Sequence, residues 1–207
     1  MKNKLRVKLK KIALKFPSFY RRIHKILKKL KKIDLSEEGV ANEELRFLLE
    51  HMGKNKVVLE IGVFGGQTTR RLAKDNFVIG IDPFKGDSET GTLLGEYPED
   101  VYSRFIKNTL GKGVILFPLS SKDAFNFWDK NINKKVIDSI FVDGWHTYEG
   151  VEIDFKWCKY LKKGGIIAFH DTNLKEVNEF IVKNIYSNKD YKYLGEQNST
   201  KVFKKLI

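Results

Sequence analysis

At 207 residues, with 42% hydrophobic and 13% aromatic side chains, the chain is long enough for one sizeable core and too apolar to be disordered. Its net charge of +13 is local: 14 of the 39 Lys and Arg fall within residues 1–33, which hold no acid, leaving 25 basic against 26 acidic residues in the remainder. That balance excludes a chain coated in positive charge, no run reaches the ~18 apolar residues of a membrane span, and the lone Cys158 excludes a disulfide framework.

Residues 1–39 read as a basic amphipathic helical arm. From Leu5 through Leu9, Ile12, Phe16, Phe19, Ile23, Ile26 and Leu30 to Ile33, apolar residues recur at spacings of four and three, with Lys and Arg on the other faces. Pro17 splits the run in two, because proline lacks an N–H and disfavours a helical residue before it. The body, residues 40–207, opens with a helix at 41–52 that carries Leu45, Leu48, Leu49 and Met52 on one side and stops at Gly53. Strands are then predicted at 56–61, 77–81, 114–117, 139–143 and 166–169. Helices are predicted at 66–75, 98–110, 124–129, 148–162 and 176–186, the fourth closed by Gly164-Gly165. Residues 83–97 carry no period and read as a long loop, and 191–194 with 201–204 read as a closing hairpin. Alternating strands and helices predict a parallel sheet covered on both faces, with the hairpin making the last strand antiparallel.

Two stretches carry most of the chemistry. FVDGWHTYEG ends a strand at Asp143, with His146 three residues on, and LKKGGIIAFHD ends the next at His170-Asp171. Neighbouring parallel strands lie ~4.8 Å apart, so these side chains share a small volume. Two carboxylates and two imidazoles there suit a metal or a proton transfer. Asp143 and Asp171 offer hard oxygen donors for Mg²⁺, while His170 as a ligand favours Mn²⁺, Zn²⁺ or Fe²⁺. His170 reads equally as a group that orients Asp171. His146 reads as a general base for an acceptor hydroxyl, or as a polar cap on the next helix.

Upstream, Glu60-Ile61-Gly62-Val63-Phe64-Gly65-Gly66 places glycines between a strand and a helix, where the backbone can approach a ligand closely. This is not GxGxxG, and Glu60 suits an amine-bearing ligand better than a diphosphate. Asp82 ends the second strand about twenty residues on, where a carboxylate can accept from both hydroxyls of a ribose. Trp145 and Tyr148 either wall an acceptor pocket or pack locally, and Trp157 and Tyr160 read as packing. Asp154 reads as a helix-surface acid or a support behind the site. Cys158 reads as a small buried hydrophobe. The 83–97 loop is a lid carrying Asp87, Glu89 and Glu96, or a solvated loop.

VVLEIGVFGGQTTRRLA, VIGIDPF, SIFVDGWHTYEGVEIDF and LKKGGIIAFHD together resemble the class I S-adenosylmethionine-dependent methyltransferases. Within that class they resemble the small-molecule branch of macrocin-type sugar O-methyltransferases and cephalosporin-hydroxylase-like enzymes. The resemblance covers about residues 40–205 and leaves out the arm. It implies a Rossmann-like α/β fold: a mostly parallel seven-stranded sheet with a C-terminal antiparallel hairpin. It implies methyl transfer from S-adenosylmethionine to a hydroxyl of a sugar or sugar-bearing small molecule. Glu60, Gly62 and Gly65 would shape the methionine side of the cofactor pocket, Asp82 would hold the ribose, and Ser121 would stand near the adenine. Asp143 would border the cofactor and, with His170 and Asp171, hold a divalent cation, Mg²⁺ or Mn²⁺; His146 would be the base.

The arm admits three readings: packing on the body or on a second copy in a homodimer, contact with an anionic membrane surface, or RNA binding. The rival function is an RNA methyltransferase or RNA-binding protein that uses the arm; the near-neutral body offers no track for phosphates and makes a nucleic-acid partner the weaker expectation. With no secretory signal at the N-terminus, the expected location is cytoplasmic, peripheral to the inner membrane face if the arm binds lipid.

Overall fold

The computed structural model describes residues 40–85 and 100–207. The amphipathic arm and the greater part of the predicted 83–97 loop, with Asp87, Glu89 and Glu96, lie outside the described residues.

Helix α1 (Asn42–Met52) leads into strand β1 (Val57–Ile61), helix α2 (Gln67–Leu72), strand β2 (Phe77–Ile81), helix α3 (Val101–Thr109) and strand β3 (Val114–Phe117). Helix α4 (Ser121–Asn131), strand β4 (Ile137–Val142), helix α5 (Tyr148–Phe155) and strand β5 (Leu161–Phe169) follow. Helix α6 (Lys175–Ile181) and the hairpin of β6 (Tyr191–Gln197) and β7 (Thr200–Lys205) complete the chain. The seven strands lie in the order β3-β2-β1-β4-β5-β7-β6. The first five run parallel, and β7 pairs antiparallel with both β5 and β6. This is the expected α/β architecture.

Period-two alternation assigns the two faces. Val58, Val78, Phe141, Ala168 and Val202 pack with Leu45, Leu48 and Met52 of α1 and Leu72 of α2. Leu59, Ile61, Ile140, Phe169 and Phe203 face the other way, onto Trp128 of α4, Val151 of α5 and Phe180 of α6. Trp157 and Tyr160 are fully buried in the second cluster, as their packing role predicts, and Cys158 is buried beside them.

Three elements, α5, β5 and α4, depart most from the sequence expectation. Helix α5 does not run to residue 162; it ends at Phe155, passes through a 3₁₀ turn (Lys156–Lys159), and β5 begins at Leu161, five residues before the predicted start. Ile137 pairs with Leu161 but Ser139 with Ile166, so β5 bulges around Gly164-Gly165. A Cβ on Gly165 would sit 2.8 Å from the carbonyl oxygens of Asp138 and Lys162, so the pair that reads as a helix stop is a close crossing of two strands. Lys205 reaches back from β7 and donates to the carbonyls of Cys158 (2.8 Å) and Leu161 (3.1 Å), satisfying the end of that helix. Helix α4, in turn, is longer than the predicted 124–129. Ser120 caps it, accepting from the Asp123 N–H at 3.1 Å and donating to the Asp123 carboxylate at 2.6 Å.

Candidate functional site

The C-terminal ends of β1, β2, β4 and β5 meet at one edge of the sheet, the usual place for a ligand in such a fold. At the end of β1 the Gly62 N–H donates to Ile81 and the Asp143 N–H to Ile61, at 2.8 and 2.9 Å. Gly62 has φ +89°, and a Cβ there would lie 2.1 Å from the Asp143 carbonyl oxygen. Only glycine fits where this turn crosses β4, which draws the Glu60 strand and the Asp143 loop together.

Glu60 is completely buried, and among the described residues neither carboxylate oxygen has a hydrogen-bond partner. Burial pushes its carboxyl well above the usual range; the Thr69 hydroxyl opposes this, and the charges of Asp143 and Asp82 add to it. An acid left unpaired at this depth fits a cationic amine. Asp82 is also buried, and its oxygens accept the N–H groups of Phe64 (2.9 Å) and Phe84 (2.8 Å), both at positive φ. It therefore pins the turns after β1 and β2, a duty its sequence position does not reveal. Gly65 lies in the first of these turns, its carbonyl accepting from Asn108 of α3 at 2.6 Å. Ser121 opens α4, where its hydroxyl accepts the Trp157 indole N–H at 3.2 Å.

Asp143, His146 and Asp171 each bring a ligand atom within 4.8 Å of the others. His146 Nε2 lies 3.1 Å from Asp171 Oδ2. His170 sits on the buried side, with Nδ1 2.9 Å from Asp143 Oδ1 and 3.5 Å from Asp171 Oδ2. Among the described residues neither His146 Nε2 nor His170 Nδ1 forms an aligned hydrogen bond, although each lies close to a carboxylate. Burial opposes ionisation of Asp171, yet the two imidazoles hold its carboxyl far below the usual range. Burial likewise opposes the charge on His170, and Asp143 first, then Asp171 and Glu44, raise its pKa well above the ordinary value. Asp171 has φ +50°, an unfavourable backbone for a residue with a side chain and a form of strain that clusters at functional sites.

Sequence reasoning passed over Glu44. It lies at the third position of α1 and faces His170 Nε2 at 3.8 Å. Its other oxygen accepts the backbone N–H and the hydroxyl of Ser199, both at 2.8 Å, in the β6–β7 turn. Burial works against its ionisation, but His170 and Ser199 hold the carboxyl down to about 2. The available signal was an acid four residues before Leu48, inside the buried stripe of α1. Asp154 is no surface acid: it is buried under Gly144, and burial raises it to about 7 against the Ser121 hydroxyl and the His146 charge. Tyr148 packs on Phe180 and accepts from Asn184 at 2.9 Å, whereas Trp145 is exposed.

A family model described as a methyltransferase domain matches residues 59–172. The uncharacterised protein y4gI of Sinorhizobium fredii is 28% identical over 106 residues, 51% of this chain; the match spans about a tenth of that protein's length, 11%. Among solved structures, the O-methyltransferase TomG from Streptomyces achromogenes, in complex with SAM, aligns at TM-score 0.60 and 16% identity, over 90% of this chain and 88% of TomG. CalS11, a TDP-rhamnose 3'-O-methyltransferase, aligns at TM-score 0.55 and 16% identity over 77% of each chain. An rRNA methylase from Streptococcus thermophilus aligns at TM-score 0.57 and 13% identity, over 80% of this chain and 95% of the methylase. At these identities the structural likeness establishes the fold, which small-molecule and RNA enzymes share. The glycine turn, the unpaired Glu60 and the match over 59–172 place the chain in a family: it belongs to the class I S-adenosylmethionine-dependent methyltransferases.

Proposed function

We propose that the protein is an S-adenosylmethionine-dependent O-methyltransferase acting on a hydroxyl of a sugar or sugar-bearing small molecule, akin to the macrocin-type branch. The observation that carries this reading is the Asp143, His146 and Asp171 cluster beside the buried, unpaired Glu60. Bound S-adenosylmethionine supplies an electrophilic methyl group. Glu60 would receive its ammonium, Gly62 and Gly65 would let the backbone close on the methionine side, Asp82 would share its carboxylate with the ribose, and Ser121 would border the adenine. Asp143 would stand between the cofactor and the acceptor. Asp143 and Asp171 would hold a divalent cation, which would supply the charge that acidifies an acceptor hydroxyl. His146, beside Asp171, takes the hydroxyl proton. His170 is buried between Glu44 and both aspartates, which supports a bracing role over direct ligation.

An RNA acceptor needs positive charge around the site. The rim instead mixes Asp143, Asp171, Glu149 and Glu176 with Lys122 and Lys175 and offers no basic track, which supports a small, hydroxylated acceptor. The test is methyl transfer from labelled S-adenosylmethionine to a panel of nucleotide sugars, glycosides and structured RNAs, with chelator and then with Mg²⁺ or Mn²⁺ restored. Metal-restored methylation of a sugar hydroxyl is expected. Labelling of RNA alone, or full turnover in chelator, rejects the acceptor or the cation respectively.

A further inference from the structure

Every parallel strand begins at the sheet edge opposite the candidate site, and that edge is lined with lysine. Lys112 precedes β3, Lys56 precedes β1, Lys134 and Lys135 precede β4, and Lys162 and Lys163 open β5; all six are exposed. Strand spacing spreads them over roughly 20 Å, from the β3 edge to β5. Lysine at helix C-termini is the ordinary complement of the helix dipole. Dipoles do not account for Lys162 and Lys163, which lie inside β5 itself. The acids there are fewer than the lysines: Asp75, Asp129 and Asp138 are paired with Lys54 (3.4 Å), Lys159 and Lys162 (2.8 Å), Glu50 is exposed in the last turn of α1, and Asp190 stands before β6. Among the described residues, the acids of the candidate site, Asp143 and Asp171, lie at the other edge of the sheet.

Two further observations select the partner. Apolar side chains stand exposed among the lysines: Leu110 at the end of α3 is 80% exposed, and Phe77 opens β2 at 41%. The loops along this edge hold no arginine, the residue whose planar fork suits phosphodiester recognition, but flexible lysines flanking Phe and Leu suit a headgroup layer over acyl chains. We propose that this lysine-lined edge docks on an anionic lipid bilayer, with Leu110 and Phe77 entering the interface. Asp143 and Asp171 then face water, away from the anionic surface.

The test uses the full chain. Leu110→Cys carries a polarity-sensitive thiol dye, the native Cys158 being buried, and Glu149→Cys carries the same dye at the opposite edge. Vesicles of neutral lipid, vesicles with anionic lipid, and a structured RNA are titrated at low salt and at about 0.5 M salt, where the Debye length falls to roughly 4–5 Å. The dye at 110 should shift to the blue with anionic vesicles only and revert in salt, while the dye at 149 stays unchanged. Each lysine near an anionic surface is worth about fivefold in partition, so Lys134→Glu, Lys135→Glu and Lys163→Glu together should weaken vesicle binding at least about 100-fold. S-adenosylmethionine affinity should be unchanged, which also verifies the fold. A silent dye at 110, or undiminished vesicle binding by the triple variant, overturns the proposal and leaves any lipid contact elsewhere in the chain. Loss of RNA binding with vesicle binding retained also overturns it and assigns the edge to nucleic acid.

Discussion

Burying a carboxyl without a partner costs folding free energy, and Glu60 carries that cost on both oxygens. Its folded pKa is raised, so its contribution is most favourable below the unfolded value near 4.5 and is lost as pH climbs towards the folded pKa. Glu60→Gln should therefore melt higher than the native protein, by a margin that widens from pH 5 to pH 8. The same change removes the charge that receives an ammonium, so S-adenosylmethionine affinity should fall about tenfold or more. Calorimetry and melting curves on one preparation read both; a variant that is less stable at pH 8 would contradict the assignment. At His146 the expectation is a turnover effect: His146→Ala should slow methyl transfer by ~10²–10⁴-fold with cofactor affinity nearly intact. A variant that keeps full turnover would remove His146 as base.

Glu44 joins α1, the β6–β7 turn and His170, so one side chain ties three elements to the site. Its folded pKa is depressed, so its stabilisation is present above pH ~4.5 and disappears as pH falls through about 2. His170 is raised, so its part is complete below pH ~6.5 and is lost as pH rises through its folded value. The pair should support the fold best between these limits. Glu44→Gln should cost on the order of 2 kcal/mol there, and the difference from the native protein should shrink at both ends. Urea titrations across pH measure it; a constant difference would break the link. At the β5 bulge, Gly165→Ala should destabilise by about 2 kcal/mol or more, since the methyl meets two backbone carbonyls that cannot move independently. Denaturation that matches the native protein would show that β5 relaxes around the bulge.

At the scale of the whole molecule, the basic stripe of residues 1–33 and the family match over 59–172 do not overlap. Removing residues 1–33 should leave cofactor affinity unchanged while weakening vesicle association or turning a dimer into a monomer. Binding calorimetry, vesicle sedimentation and light scattering on both forms check this. Lost cofactor binding would mean that the stripe completes the body, and unchanged lipid binding and oligomeric state would deny it either role. Among the described residues no helix is long and apolar enough to cross a membrane, so any lipid contact within them is peripheral.

The sequence by itself determined the order of strands and helices, the antiparallel hairpin, and the gathering of Asp143, His146, His170 and Asp171, because strand periodicity and strand ends are local properties. Gly62 and Glu60 were legible for the same reason. What packs from afar was not legible: Glu44 lies 126 residues before His170, and its role exists only once α1 crosses the β6–β7 turn. Asp82 at a strand end reads as a ligand contact, and only the folded turns show that it also holds Phe64 and Phe84. Gly164-Gly165 reads as a helix stop, since a bulge depends on the neighbouring strand. Net charge misled most, because a sum of −1 over residues 34–207 carries no direction. Only the common orientation of the parallel strands separates lysine at one edge from carboxylate at the other.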